Sequence, residues 1–92
     1  MSVIPARFEL GQNFPSPFNP ATVISYQLPV SSDVTLKVYG ILGRQISTIV
    51  NERKDAGVYS VRFDAAGLSS GVYVYRLQAG GVVEAKKLVV EK

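Results

Sequence analysis

The sequence predicts an all-β chain, folded as an immunoglobulin-like antiparallel β-sandwich of about seven strands. Three observations carry this. Apolar and polar residues alternate with a period of two over successive stretches, and no window shows a helical period. Turn residues, chiefly Gly, Pro, Ser and Asp, return about every 8–12 residues, the spacing of a sandwich. Third, Leu68-Ser69-Ser70-Gly71-Val72-Tyr73-Val74-Tyr75-Arg76-Leu77 joins a tight corner to a strand that is apolar on both faces apart from Arg76. Such a strand belongs inside its sheet. Tyr73, Tyr75 and Leu77 share one face of it; Val72, Val74 and Arg76 share the other. Tyr73 has the spacing of a tyrosine corner, whose hydroxyl bonds to backbone just upstream, here between Ala66 and Ser69. The alternative is that both tyrosines only fill core volume.

Taken in order, residues 1–7 read as a tether from a larger parent protein and residues 8–92 as the domain. Phe8-Glu9-Leu10 forms a short first strand, ended by Gly11. Asn13 to Pro20 holds Pro15, Pro17 and Pro20 and is extended and stiff, because proline restricts its own φ and the residue before it. Phe14 and Phe18 are expected to pack on the sandwich end and pin this segment. A docking-peptide reading is less favoured, since the aromatics would otherwise enlarge exposed apolar surface. Thr22 to Leu28 alternates, with Ile24, Tyr26 and Leu28 against Val23, Ser25 and Gln27. Pro29 stops it and Ser31-Ser32-Asp33 turns the chain.

Val34 to Tyr39 is the cleanest strand, with Val34, Leu36 and Val38 inward and Thr35, Lys37 and Tyr39 outward. Gly40 to Gly43 makes a turn, with glycines suited to positive φ, and Gln45 to Val50 returns as the partner strand. Asn51 to Asp55 reads as a charged loop. Val58 to Phe63 turns Tyr59, Val61 and Phe63 inward. Asp64 to Leu68 is a corner, and Ala79-Gly80-Gly81 a hairpin turn. In the last strand, Val82 to Val90, Lys86, Leu88 and Val90 share one face and Ala85, Lys87 and Val89 the other.

Ninety-two residues suit one domain, and 47% hydrophobic content supplies a core and argues against disorder. The chain has no Cys, His or Trp. Disulfides, thiolate metal sites, the commonest general base and the best nucleophile are therefore missing. The net charge of +3 is dispersed, with no block resembling a nucleic-acid arm. No apolar run approaches membrane-spanning length. Met1 to Ala6 lacks the features of a signal peptide, so an exported protein would carry its signal on the larger parent.

Asp33, Asp55 and Asp64 sit in separate turns, where Asp is favoured for its local hydrogen bonds. Asp55, Asp64 and Glu52 could meet at one sandwich end as a weak calcium site, but no defined calcium loop is present. Ser69 and Ser70 have no His to activate them, and a domain this small has little room for a two-carboxylate cleft. Exposed Tyr39 allows a sugar-binding face, disfavoured without Trp. The residues call for no catalysis, cofactor or metal.

Four segments, in order, carry a resemblance: Gln12 to Pro29 (QNFPSPFNPATVISYQLP), Val34 to Val50 (VTLKVYGILGRQISTIV), Ala56 to Gly81 and Lys86 to Lys92 (KKLVVEK). Together they resemble the type IX secretion system C-terminal sorting domain, type A. The Ig-like domain of flagellar hook-capping proteins is similar, but the basic-apolar closing segment fits the sorting domain better. The resemblance implies a non-catalytic signal unit at the end of secreted enzymes and adhesins of Bacteroidetes-like bacteria. It implies a cargo N-terminal to the domain, passage through the periplasm, and recognition by the outer-membrane type IX translocon. It implies removal by a surface sortase, leaving cargo at the cell surface or in the medium.

By the same carry-over, Lys86, Lys87, Leu88, Val89, Val90 and Lys92 form the sorting signal. Pro15, Pro17, Phe18, Gly43, Arg44, Gly71, Tyr73 and Tyr75 match internal motifs that look structural. Two positions depart from the family pattern: Gly40 where Asp is usual, and Ser16 where Asn is usual. The physics fits a signal, since a terminal edge strand offers unpaired backbone groups for strand addition. Lys86 and Lys87 on opposite faces would also suit plain edge protection. The alternatives are a passive structural linker or stalk and, less favoured, a carbohydrate-binding module. A sorting signal must end its parent chain, and Lys92 reads as such an end.

Overall fold

The structure is a computed structural model that describes residues 4–92. Among the described residues seven strands form: β1 (Glu9–Leu10), β2 (Ala21–Leu28), β3 (Ser32–Gly40), β4 (Gln45–Lys54), β5 (Gly57–Asp64), β6 (Gly71–Ala79) and β7 (Val82–Val90). They make two antiparallel sheets, ordered β1-β2-β5 and β4-β3-β6-β7. Of the tether expected over residues 1–7, Met1 to Val3 lie outside the described residues, and Ile4 to Arg7 hold no strand.

The period-two pattern sets the core. Ile24, Tyr26 and Leu28 of β2, with Phe63 of β5, meet Val34, Leu36 and Val38 of β3 and Tyr75 and Leu77 of β6. Leu10, Leu88 and Val90 close one side of this core. Tyr59 and Val61, expected inward, are half-buried and pack against it at the other side, where Tyr59 stacks on Tyr26 at 5.3 Å. β6 lies between β3 and β7, as its two apolar faces require.

The charged loop expected over Asn51 to Asp55 is strand instead, as far as Lys54. β3 begins earlier than its apolar pattern, at Ser32, and so offers partners to the residues after Val50. The register pairs Thr35 with Asn51, Val34 with Glu52, Asp33 with Arg53 and Ser32 with Lys54. Charges are at home there because β4 is an edge strand, where they deter edge-to-edge association. The register slips twice along β4, leaving Ile49 and Ile46 without an opposite residue. Such bulges twist an edge further away from self-pairing. In the β3–β4 turn, Gly40 N–H donates to the Arg44 carbonyl at 2.7 Å and Gly43 N–H to the Gly40 carbonyl at 2.9 Å. Gly43 alone in this turn has positive φ, at +92°.

The tyrosine corner forms, and it forms twice. The Tyr73 hydroxyl donates to the Ser69 carbonyl at 2.7 Å, and the Tyr59 hydroxyl to the Asp55 carbonyl at 2.6 Å. Each tyrosine follows a Gly-Val pair whose glycine has left-handed φ, +155° at Gly57 and +154° at Gly71. That φ swings the chain out of the corner so that the phenol folds back over it. Tyr73→Phe and Tyr59→Phe are each expected to lower stability by about 0.5–1.5 kcal/mol, the net worth of one such bond. Urea midpoints check this, and unchanged midpoints would mean that the corners are closed by backbone alone.

Candidate functional site

β7 carries five of the residues assigned to the sorting signal, and its position follows from its pairing. It is one of the two edge strands of the four-stranded sheet, bonded on one side to β6 in the register Tyr73 to Leu88 and Tyr75 to Lys86. Leu88 and Val90 are buried in the core. Lys86 is half-buried on the same face, toward the rim of the sandwich, while Lys87 is exposed and Val89 half-buried on the other. The two lysines therefore point to opposite faces.

The edge itself is not bare. Phe18 N–H donates to the Val89 carbonyl at 3.2 Å, and Glu91 N–H donates to the Phe18 carbonyl at 3.0 Å. Together these make a parallel bridge between Phe18 and Val90. The Gln12 side-chain amide donates to the Lys87 carbonyl at 3.0 Å, and the Glu84 carboxylate accepts from Leu10 N–H at 3.0 Å. The segment that precedes β2 thus covers the second half of the terminal strand's outer edge.

The proline segment reaches β7 because one of its aromatics is buried. Phe18 is 3% exposed and meets Phe63 edge-on at 6.4 Å. Phe14, expected to pack alongside it, is instead 78% exposed. Its backbone pairs with Val23 in both directions, and Val23 belongs to the outward phase of β2. The bridge therefore turns Phe14 outward with it, whatever the ring would gain by burial.

Beneath the segment lies a buried polar network that sequence reasoning missed. The Tyr75 hydroxyl donates to the Gly11 carbonyl at 2.7 Å and accepts from Asn13 N–H at 2.9 Å. The Asn13 side-chain amide donates to Thr22 Oγ1 at 3.0 Å and to the Pro15 carbonyl at 3.2 Å, and Thr22 Oγ1 donates to that same carbonyl at 2.9 Å. Asn13 and Thr22 are both buried. Thr22 was detectable, since it lies in phase with Ile24, Tyr26 and Leu28 and so points inward. Nothing local marks Asn13.

Lys92 is tied to the corner before β6. Its backbone N–H donates to Ser70 Oγ at 2.9 Å and its ammonium to the Ala66 carbonyl at 2.8 Å. The fold therefore gathers Lys86 to Lys92, Phe18, Tyr75, Gly71 and Tyr73 around one strand, whereas the Pro15 carbonyl is bonded to Asn13 and Thr22. Gly43 and Arg44 do not join them. They lie on the β3–β4 turn, Arg44 in a hollow that also includes Leu68, Ser69 and Tyr73 and Gly43 in one with Tyr39, Val74 and Arg76, with β6 between them and β7.

The acidic trio is not brought together. Asp55 precedes β5 and Asp64 ends it, at opposite ends of an eight-residue strand, and Glu52 pairs with Lys54 at 2.6 Å. Tyr39 is not an open platform either, because the Arg76 guanidinium lies over its ring at 5.0 Å and donates to its hydroxyl at 2.8 Å.

Burial pushes the Tyr26 and Tyr75 phenols above the ordinary tyrosine value; at Tyr75 the bond from Asn13 N–H favours the phenolate and offsets part of the rise. The Tyr26 hydroxyl has no hydrogen-bond partner among the described residues. A folded-state pKa above the unfolded one contributes stability that is whole below the unfolded value, near 10, and is lost as pH rises through the folded one. Urea midpoints are therefore expected to fall above about pH 10 through these two groups, which add no pH dependence near neutrality. Tyr26→Phe should reduce that fall and leave the midpoint at pH 7 level or higher, because it removes an orphaned hydroxyl. A lower midpoint at pH 7 would mean that the hydroxyl is satisfied in solution.

A family model described as secretion system C-terminal sorting domain matches residues 12–91, from the Gln12 side chain that caps β7 to the residue after β7 itself. No curated protein and no solved structure shows significant similarity to the chain.

Proposed function

The chain belongs to the secretion system C-terminal sorting domain family, the type IX sorting tails, and from that premise we propose that it is the unit by which the outer-membrane translocon recognises and carries an attached cargo. The family is not a catalytic one, and it marks a secreted protein, exported to the cell surface or beyond. The cargo precedes residue 1, residues 1–7 tether it, and a surface sortase removes the domain after translocation. The domain acts as a signal and not as an enzyme. Lys86, Lys87, Leu88, Val89, Val90 and Lys92 present that signal.

The observation that carries this reading is the family match ending on β7, an edge strand with lysines on both faces. An edge strand is a template for a partner's backbone. Here a partner strand can add at the first half of β7, whose outer backbone groups have no partner among the described residues, or along the whole edge by displacing Phe18. The buried Leu88 and Val90 hold the strand in register while the lysines remain readable.

The test is export of a reporter placed behind a signal peptide and ahead of residues 1–92, in a host with the type IX machinery. The reporter should reach the surface or medium. Removing Leu88 to Lys92 should leave it in the periplasm, but that change also empties core positions. Replacing Lys86, Lys87 and Lys92 with Gln keeps the apolar residues, and surface substitutions usually change stability by less than about 0.5 kcal/mol. A folded glutamine variant held in the periplasm means that the lysines are read. Normal export of both variants would sink the proposal and leave a passive module.

A further inference from the structure

The outer face of the four-stranded sheet, turned away from the core, has an uncompensated positive centre. Lys37 on β3 stands directly opposite Arg76 on β6. Lys87 on β7 stands opposite Val74, the residue two before Arg76 on the same face. Like charges directly opposite each other destabilise a sheet, yet among the described residues none of the three makes an ion pair. The carboxylates of this face lie at its two ends. Asp33 is engaged with Arg53 at 3.5 Å, and Glu91 follows β7.

Arg76 is held ready. Its stacking on Tyr39 and its bond to the Tyr39 hydroxyl fix the guanidinium, which lowers the entropy cost of using it. Around the cations lie Val72 and Val83, both exposed, and Val74 and Val89, both half-buried. At the β3–β4 tip Ile41 is 67% exposed and Leu42 96%. Two shallow hollows flank the charged centre. One, of about 300 Å³, lies between Tyr39, Ile41, Val74 and Arg76; the other, of about 470 Å³, lies between Thr35, Lys37 and Gln78 and is closed at its far end by the Asp33–Arg53 pair.

We propose that this face docks a protein surface presenting carboxylates among small apolar side chains. The positive centre selects acid groups. The valines select protein, because a polysaccharide or nucleic acid has no small apolar side chains to set against them, and Arg76 already covers one side of the Tyr39 ring. Charge then supplies orientation and encounter rate, and apolar contact supplies the buried centre that specific interfaces need. The proposal does not depend on which machinery reads β7, and it turns on Lys37 and Arg76, which lie outside the proposed signal.

The experiment is an amide-shift titration of the ¹⁵N-labelled 92-residue chain with a short synthetic peptide of alternating valine and glutamate. Parallel titrations use the valine–glutamine analogue and dextran sulfate. The acidic peptide should give saturable shifts at Lys37, Tyr39, Val74, Arg76 and Lys87 that weaken with added salt. The glutamine analogue should bind about tenfold more weakly or worse, as expected when charge-assisted contacts are lost. Lys37→Thr and Arg76→Gln should each keep the native amide dispersion and lose the response. Lys37→Thr should also hold or raise the urea midpoint, since it relieves a like-charge pair. Shifts spread over the whole surface, shifts confined to the β7 edge, or binding of dextran sulfate without the peptide would each overturn the proposal. So would full binding by both folded variants.

Discussion

Tyr75→Ala is expected to lower the stability of the domain by about 3–5 kcal/mol, the usual cost of emptying a large aromatic site in a core. Tyr75 is fully buried on β6, inside its sheet, and its hydroxyl reaches the segment that joins β1 to β2 of the other sheet. The ring is only half of its contribution. Its hydroxyl receives Asn13 N–H and donates to the Gly11 carbonyl, so it anchors the segment that goes on to cover β7. Tyr75→Phe separates the two parts. It keeps the ring, strands a buried donor, and should cost about 1–3 kcal/mol. Urea midpoints measure both, and amide exchange at Asn13 shows whether the anchor has gone. At the low end of the usual range of about 5–15 kcal/mol, where a domain this small belongs, the alanine variant is close to unfolding at ambient temperature. If Tyr75→Phe costs nothing, the hydroxyl does not hold the segment, and the buried network is incidental.

Phe18→Ala is expected to cost a comparable amount, about 3–5 kcal/mol, with a second consequence that Tyr75→Ala shares only indirectly. Phe18 is the residue whose backbone pairs with Val89 and Glu91. Without its ring in the core, nothing apolar in the proline segment holds that pairing, because Phe14 points to solvent. The β7 edge should then open along its second half and become available to other copies of the chain. Sedimentation should show concentration-dependent association in Phe18→Ala and none in the parent. Phe14→Ala is the matched control and should change stability by less than about 0.5 kcal/mol. Equal effects of the two substitutions would contradict the burial difference seen between the rings. In the export assay, a Phe18 variant that is folded but associates would separate the need for a covered edge from the need for a folded domain.

Much of this was legible from residue order. The strands of β2, β3, β5, β6 and β7 have inward and outward sides set by a period of two, and solvent exclusion of Ile24, Tyr26, Leu28, Leu36 and Leu77 follows from that pattern alone. The corner at Tyr73 was readable because its partner, Ser69, is four residues away and Gly71 between them supplies the required φ. The same Gly-Val-Tyr order at Gly57 to Tyr59 carries the second corner. Family membership was legible too, because it rests on ordered local segments.

Tertiary structure decided what depends on distant partners. Glu52 to Lys54 have no apolar alternation, and they are strand only because Ser32 to Val34 offer an edge to pair with. Phe14 and Phe18 both stand beside prolines. One is exposed and the other buried because Phe14 pairs with β2 in its outward phase while Phe18 pairs with β7 over the core. Asn13 is buried only because Tyr75 arrives from far along the chain to meet it. For the same reason the terminal strand, an open edge by sequence, is half closed in space. Local preference sets which way a side chain turns along its own strand, whereas the unpaired backbone groups of an edge are satisfied by whatever segment the packed core brings within reach.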